Sequence, residues 1–193
     1  MWIFGFLAPS PQAVGERASQ QPGVFRIRAR FNPSGPAGPP PLLGEARSNT
    51  QKGEPLLIIQ TISIKSVTAQ GMGTLSVFEG SHDVPFDIKR IYYIHGAPKG
   101  THRGGHAHKA LRQVLWCPYG SIRIRLDNGR EKADVLLDSP DKGLIVEHYM
   151  WREMIWEKKD SVLCVAADSY YDESDYIRDY DEFLEAVKGK DLD

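Results

Sequence analysis

The sequence predicts an all-β domain, a sandwich or barrel, over residues 56–193, with a short C-terminal helix and an irregular or disordered Pro/Gly-rich extension over residues 1–55. Three observations carry this reading. From Leu56 onward the chain is a series of short β-branched or aromatic runs separated by Gly, Pro, Asp and Asn, and many short strands at close spacing need a sandwich or barrel to bury their inner faces. Residues 1–55 hold nine of the thirteen prolines and seven glycines, with no sustained hydrophobic period. After Ala167 the chain turns acidic, ten Asp or Glu against three Arg or Lys over residues 168–193, and DEFLEAVK near its end has helical spacing.

Taken in order, GPAGPPP (Gly35 to Pro41) cannot join a helix or an interior strand, because proline lacks the amide donor and fixes its own backbone angle. LLIIQTISI, GTLSVFE, FDIKRIYYI, RQVLWC, SIRIRL, ADVLLD, WREMIW and SVLCVAA then read as strands. In SIRIRL, Ile122, Ile124 and Leu126 alternate with Arg123 and Arg125, and Asp127-Asn128-Gly129 follows, the pattern of a half-exposed strand entering a hairpin. In FDIKRIYYI, read as one strand, Phe86, Ile88, Arg90 and Tyr92 share a face.

Composition narrows the function. A net charge of −1 offers no general attraction to nucleic acid or to an anionic membrane. The opening MWIFGFLA is too short to span a bilayer and lacks the basic start of a signal peptide. Cys117 and Cys164 lie far apart in apolar runs without CxxC spacing, as reduced, buried, intracellular thiols would, and the expected location is the cytoplasm.

The chemistry concentrates in RGGHAHKALRQ, Arg103 to Gln113. On a strand His106 and His108 project to one face, roughly 7 Å apart at the backbone, and in a small barrel that face is the interior. Gly104 and Gly105 let the backbone turn tightly or a ligand come close. The spacing from Gly100 through His106, His108 and Gln113 to Gly120 resembles the first motif of the cupin superfamily, a double-stranded β-helix or jelly-roll barrel. In metal-binding cupins the position of Gln113 is glutamate and a third histidine comes from a later strand. Here Trp151 falls near that third position, and His148, three residues earlier, points to the opposite face. Two imidazoles and a neutral amide make a poor metal site, so no metal or other cofactor is expected.

PFDIKRIYYIHGAP, RGGHAHKALRQVLWCPYGSIRIRLDNG, WREM and YYDESDYIRDYDEFL together resemble the sugar 3,4-ketoisomerase family of cupins, WxcM-like, over about Ile62 to Val187. The resemblance implies a metal-independent homodimer, often with exchanged N-terminal strands, that converts dTDP-4-keto-6-deoxyhexoses into 3-keto isomers, with the paired histidines carrying the chemistry. One departure is Met72-Gly73-Thr74-Leu75, where family members commonly carry Arg-Gly before the leucine.

Moving a ketone from C4 to C3 means removing the C3 proton, forming an enediol, returning a proton at C4 and exchanging a proton between the two oxygens. Histidine, with an ordinary pKa of about 6.5, suits both directions of transfer. His106 and His108 are therefore the candidate acid/base pair, one acting on carbon and one on oxygen. Arg103, Tyr92 and Gln113 are candidate donors to the enediolate. Arg90 suits a diphosphate, and Trp151 is either a platform for the sugar or thymine ring or a core residue. YDESDYIRDYDEF is assigned to fold closure instead of catalysis. Three other functions stay open: an epimerase, a non-catalytic nucleotide-sugar binding module, which Met72 favours, and a metal-dependent dioxygenase.

Overall fold

The structure, a computed structural model, describes residues 25–28, 57–188 and 190. The expected irregular extension therefore lies outside the described residues, with one exception. Phe25–Arg28 forms a strand, β1, paired antiparallel with residues 58–61.

The chain continues through β2 (Ile58–Ser63), β3 (Lys65–Ala69), β4 (Gly73–Val77), β5 (Arg90–Ile94), β6 (His102–His108), β7 (Gln113–Tyr119) and β8 (Ile122–Asp127). It closes with β9 (Lys132–Leu137), β10 (Lys142–Val146), β11 (Trp151–Trp156), β12 (Val162–Ala167), a 3₁₀ turn (Glu173–Asp175), β13 (Tyr176–Ile177) and α1 (Tyr180–Val187). One sheet runs β1-β2-β10-β7-β12-β5 and the other β13-β6-β11-β8-β9, while β3 and β4 form a separate hairpin. All of these strand pairs are antiparallel. This is the predicted all-β arrangement of short strands closed by one terminal helix.

Side-chain alternation sorts three cores. Between the sheets lie Leu115 and Cys117 of β7, Ile122, Ile124 and Leu126 of β8, Met154 and Trp156 of β11, and Leu163 and Val165 of β12. The hairpin read from SIRIRL and its Asp-Asn-Gly turn forms as expected, with β8 paired to β9 along its length. On the outer face of the six-stranded sheet, Val114, Ile145 and Ala166 are covered by Val84 and Phe86. On the outer face of the other sheet, Ala107, Trp151 and Ile177 are covered by Phe183 and Val187 of α1. The helix starts where Asp179 accepts the Glu182 N–H at 2.9 Å, and Tyr180 donates its hydroxyl to Asp127 at 2.6 Å, tying α1 to the β8–β9 turn.

FDIKRIYYI corrects the reading of a single long strand. Only Arg90–Ile94 is strand; Phe86 and Ile88 pack on the outer cluster, while Ile94 packs on the inner one. The backbone enters the sheet only at Lys89, whose N–H donates to Ala167. Gly120, φ +99°, closes the β7–β8 turn against Ser161, where a Cβ would stand 2.2 Å from the Ser161 hydroxyl. Cys117 is buried, Cys164 is half-buried and both are free. Among the described residues no helix is long and apolar enough to cross a membrane.

Candidate active site

β6 carries the histidines, and a bulge sets their phase. Against β11, His106 stands opposite Arg152 and Gly104 opposite Glu153, leaving Gly105 without a partner. Gly104 and Gly105 both have positive φ, +89° and +69°, and a Cβ on Gly104 would come within 2.6 Å of the Arg152 carbonyl oxygen. Only glycine accommodates that approach. The extra residue also rephases the strand. Arg103, three residues before His106, stands opposite Met154 and so shares the inward side of β6, at its exposed rim.

His106 and His108 point to the same face, as the i, i+2 spacing requires. Their ring centroids are 5.0 Å apart with the planes at 86°. The ring of Tyr176, opposite His108 across the β13–β6 pair, lies 5.0 Å from His106 and 4.2 Å from His108. Asp175 Oδ2 is 2.8 Å from His108 Nδ1, and its Oδ1 accepts the Ala110 N–H at 2.7 Å. The other imidazole nitrogen, His108 Nε2, is buried without a hydrogen-bond partner among the described residues.

The neighbouring strands bring in the remaining groups. Gln113 donates its amide N–H to the Tyr92 hydroxyl at 3.0 Å. The Arg90 guanidinium lies 5.6 Å from the Tyr92 ring and 5.7 Å from the ring of Tyr171. Arg152, only 1% exposed, projects inward from β11, and its Nε and both terminal nitrogens have no hydrogen-bond partner among the described residues. Its charge is felt by His106, His108 and Tyr92 and is opposed by Tyr92, Tyr176 and Asp175. A buried guanidinium with unsatisfied donors is costly to maintain and presents them to an anionic or oxygen-rich ligand.

Of the residues expected from sequence, His106, His108, Tyr92, Gln113 and Arg90 come together, with Arg103 at the rim. Trp151 does not. It faces the opposite side of β11, packed 5.1 Å from the Tyr180 ring and 5.6 Å from Phe183. Of the two readings open for it, platform or core residue, this placement is that of a core residue and not of the substrate platform: β11 alternates, so the residue directed into the site is Arg152, one position on. Arg152, Asp175 and Tyr176 were missed. WREM and YYDESDY contain them, but nothing in the local pattern of either stretch shows which of its side chains faces the histidines.

Electrostatics follow from burial and from Arg152. Burial, and then the guanidinium, push His106 down to about 4 and lower His108 further. With both held this far below the ordinary imidazole value, the neutral form is favoured at each near pH 7. Burial also raises the Tyr92 hydroxyl and lowers Arg152 to about 10.

A pH dependence of stability results. In the unfolded chain an ordinary imidazole takes its proton near pH 6.5, while folded His106 takes it only near 4. Below pH 6.5 the unfolded state therefore binds the proton first, and stability falls progressively toward pH 4. The urea midpoint is expected to drop between pH 7 and pH 5, and to drop less in a double His106→Asn, His108→Asn variant. Equal slopes in the two proteins would contradict this.

Known proteins resemble this chain over the β domain. The family model described as FdtA, WxcM-like, C-terminal, matches residues 58–188. The TDP-4-oxo-6-deoxy-α-D-glucose-3,4-oxoisomerase of Aneurinibacillus thermoaerophilus is 46% identical over 115 residues, 60% of this chain and 83% of that protein. The sugar 3,4-ketoisomerase QdtA of Thermoanaerobacterium thermosaccharolyticum, solved with TDP, is 43% identical over 67% of this chain and 94% of its own, with a TM-score of 0.65. A histidine-to-asparagine mutant of that enzyme, solved with TDP-4-keto-6-deoxyglucose, is 42% identical over 70% of this chain and 97% of its own, with a TM-score of 0.66.

Proposed function

The chain belongs to the FdtA, WxcM-like family, and from that premise we propose that it is a dTDP-sugar 3,4-ketoisomerase, moving the ketone of a dTDP-4-keto-6-deoxyhexose from C4 to C3. The observation that carries this reading is the pair of imidazoles, ring centroids 5.0 Å apart, beside a buried guanidinium that has donors to spare.

The reaction needs a group that takes the C3 proton, a donor for the enediolate oxygen and a group that moves a proton between O3 and O4. His106 and His108, neutral and on one face, accept protons without first having to lose one. Arg152, on the register position facing His106, supplies fixed donors where negative charge develops, in a site with little water to screen it. Tyr92, its hydroxyl engaged by Gln113, is a second donor to the sugar oxygens. Arg103, exposed at the rim, and Arg90, half-buried with an Nε that has no hydrogen-bond partner among the described residues, are the cations offered to the diphosphate of the nucleotide.

The reading uses no metal. The amide of Gln113 is engaged by Tyr92, and the position opposite His106 is a cation, which repels a metal ion. The free thiols Cys117 and Cys164 fit a reducing, cytoplasmic setting. A homodimer is supported by exposed apolar surface. Ile91 and Tyr93, on the outward face of edge strand β5, are 63% and 65% exposed, and every residue of the β3–β4 hairpin is exposed. A two-stranded hairpin is marginal without something to pack on, and a second copy would supply it. Light scattering of the purified protein measures this directly.

The test of function is incubation with dTDP-4-keto-6-deoxyglucose in deuterated water, followed by NMR. A 3-keto product carrying deuterium at C4 supports the isomerase. Deuterium returned to C3 of an epimerised 4-keto sugar would assign an epimerase, and tight binding with no exchange would assign a binding module.

A further inference from the structure

We propose that Asp175 is a positioning residue that holds His108 in a single tautomer, with the proton on Nδ1 and the lone pair of Nε2 directed into the site. This rests on the isomerase reading, which it deepens by making the two histidines inequivalent.

The argument begins with how the carboxylate is held. Asp175 ends the 3₁₀ turn, and its backbone carbonyl accepts the Lys109 N–H at 2.9 Å. Its Oδ1 accepts the Ala110 N–H at 2.7 Å. The next residue, Tyr176, pairs with His108 across β13 and β6. The segment is thus fastened to β6 and to the two residues just beyond it by contacts that do not involve the imidazole. Oδ2 is left 2.8 Å from His108 Nδ1.

A carboxylate only accepts, so at this distance Nδ1 must carry the hydrogen. A neutral imidazole has one N–H, which leaves Nε2 as the acceptor. That atom is buried, and nothing among the described residues donates to it. Whatever proton His108 takes from the substrate, it takes at Nε2, and the carboxylate behind the ring stabilises the imidazolium that forms. Among the described residues no carboxylate is hydrogen-bonded to His106; its ring bonds to the Gly104 backbone, lies beside the His108 and Tyr176 rings, and feels Arg152, Arg178 and, at longer range, Glu173.

The first measurement is a long-range ¹H–¹⁵N correlation of histidine-labelled full chain, free of ligand, at neutral pH. His108 is expected to show a protonated Nδ1 and a bare Nε2; the opposite tautomer, or an even mixture, would overturn the proposal whether or not the protein turns over any substrate. The second is Asp175→Asn. Its kcat is expected to fall about 100-fold, within the range that general acid–base groups supply, with KM changed less than about threefold, and Asp175→Glu is expected to recover part of the loss. An unchanged kcat, or a rise in KM alone, would count against it. If the asparagine variant does not fold, the tautomer measured on the unmodified chain decides. If the unmodified chain shows no isomerisation, the functional reading fails while the tautomer assignment is still tested.

Discussion

Replacing either His106 or His108 with asparagine is expected to lower the rate of isomerisation, and of deuterium uptake from solvent, by about 10²–10⁴-fold, the range that a positioned acid or base contributes. Asparagine keeps a polar side chain of similar size but has no ring nitrogen whose lone pair can accept a proton. At position 108 the asparagine has to fill a fully buried place beside Asp175, so folding is read alongside the rate. Rates are read by NMR with dTDP-4-keto-6-deoxyglucose, and folding by thermal melting. Exchange at the unmodified rate in both single variants would refute the assignment of the pair.

Arg152→Met is expected to separate activity from stability. The guanidinium is fully buried with none of its nitrogens hydrogen-bonded among the described residues, an arrangement that costs the folded state several kcal/mol, on the order seen for unpaired buried charge. Methionine fills similar volume without that cost, so the urea midpoint should stay level or rise, by about 1–4 kcal/mol in stability. Activity should fall about 10²–10³-fold in kcat, the loss typical of removing one preorganised donor to a developing oxyanion. The variant should also raise the pKa of His106 and His108, since Arg152 is, after burial, the largest influence holding them down. A loss of stability with activity retained would make Arg152 a structural residue and remove it from the mechanism.

Much of the fold was legible because strand patterning is local. SIRIRL, ADVLLD, RQVLWC and SVLCVAA alternate or run apolar over strand lengths, and Asp127-Asn128-Gly129 is a turn by its own chemistry. The helix was legible from the spacing of Phe183 and Val187, which became its buried face. FDIKRIYYI was harder, since a period-two pattern continues through Phe86 and Ile88 although hydrogen bonding to β12 begins only at Lys89. Phe25–Arg28, in a proline-rich stretch, becomes a strand only by pairing with β2, a partner thirty or more residues away.

The candidate site divides along the same line. The sequence by itself determined that His106 and His108 share a face, because a strand repeats every two residues, and that Gly104 and Gly105 precede them where the backbone has to bend. It also determined the all-β class and the resemblance to the ketoisomerases. Only the tertiary structure decided that Arg152 and not Trp151 enters the site, that Asp175 stands behind His108, and that Tyr92 and Gln113 bond to each other. These depend on the register between strands distant in the chain: a shift of one residue along β11 would exchange the tryptophan for the arginine. Nothing within the eleven residues of RGGHAHKALRQ encodes that register. It is set by the packing of Met154 and Trp156 between the sheets and of Trp151 beneath α1, and those contacts exist only once the whole barrel has closed.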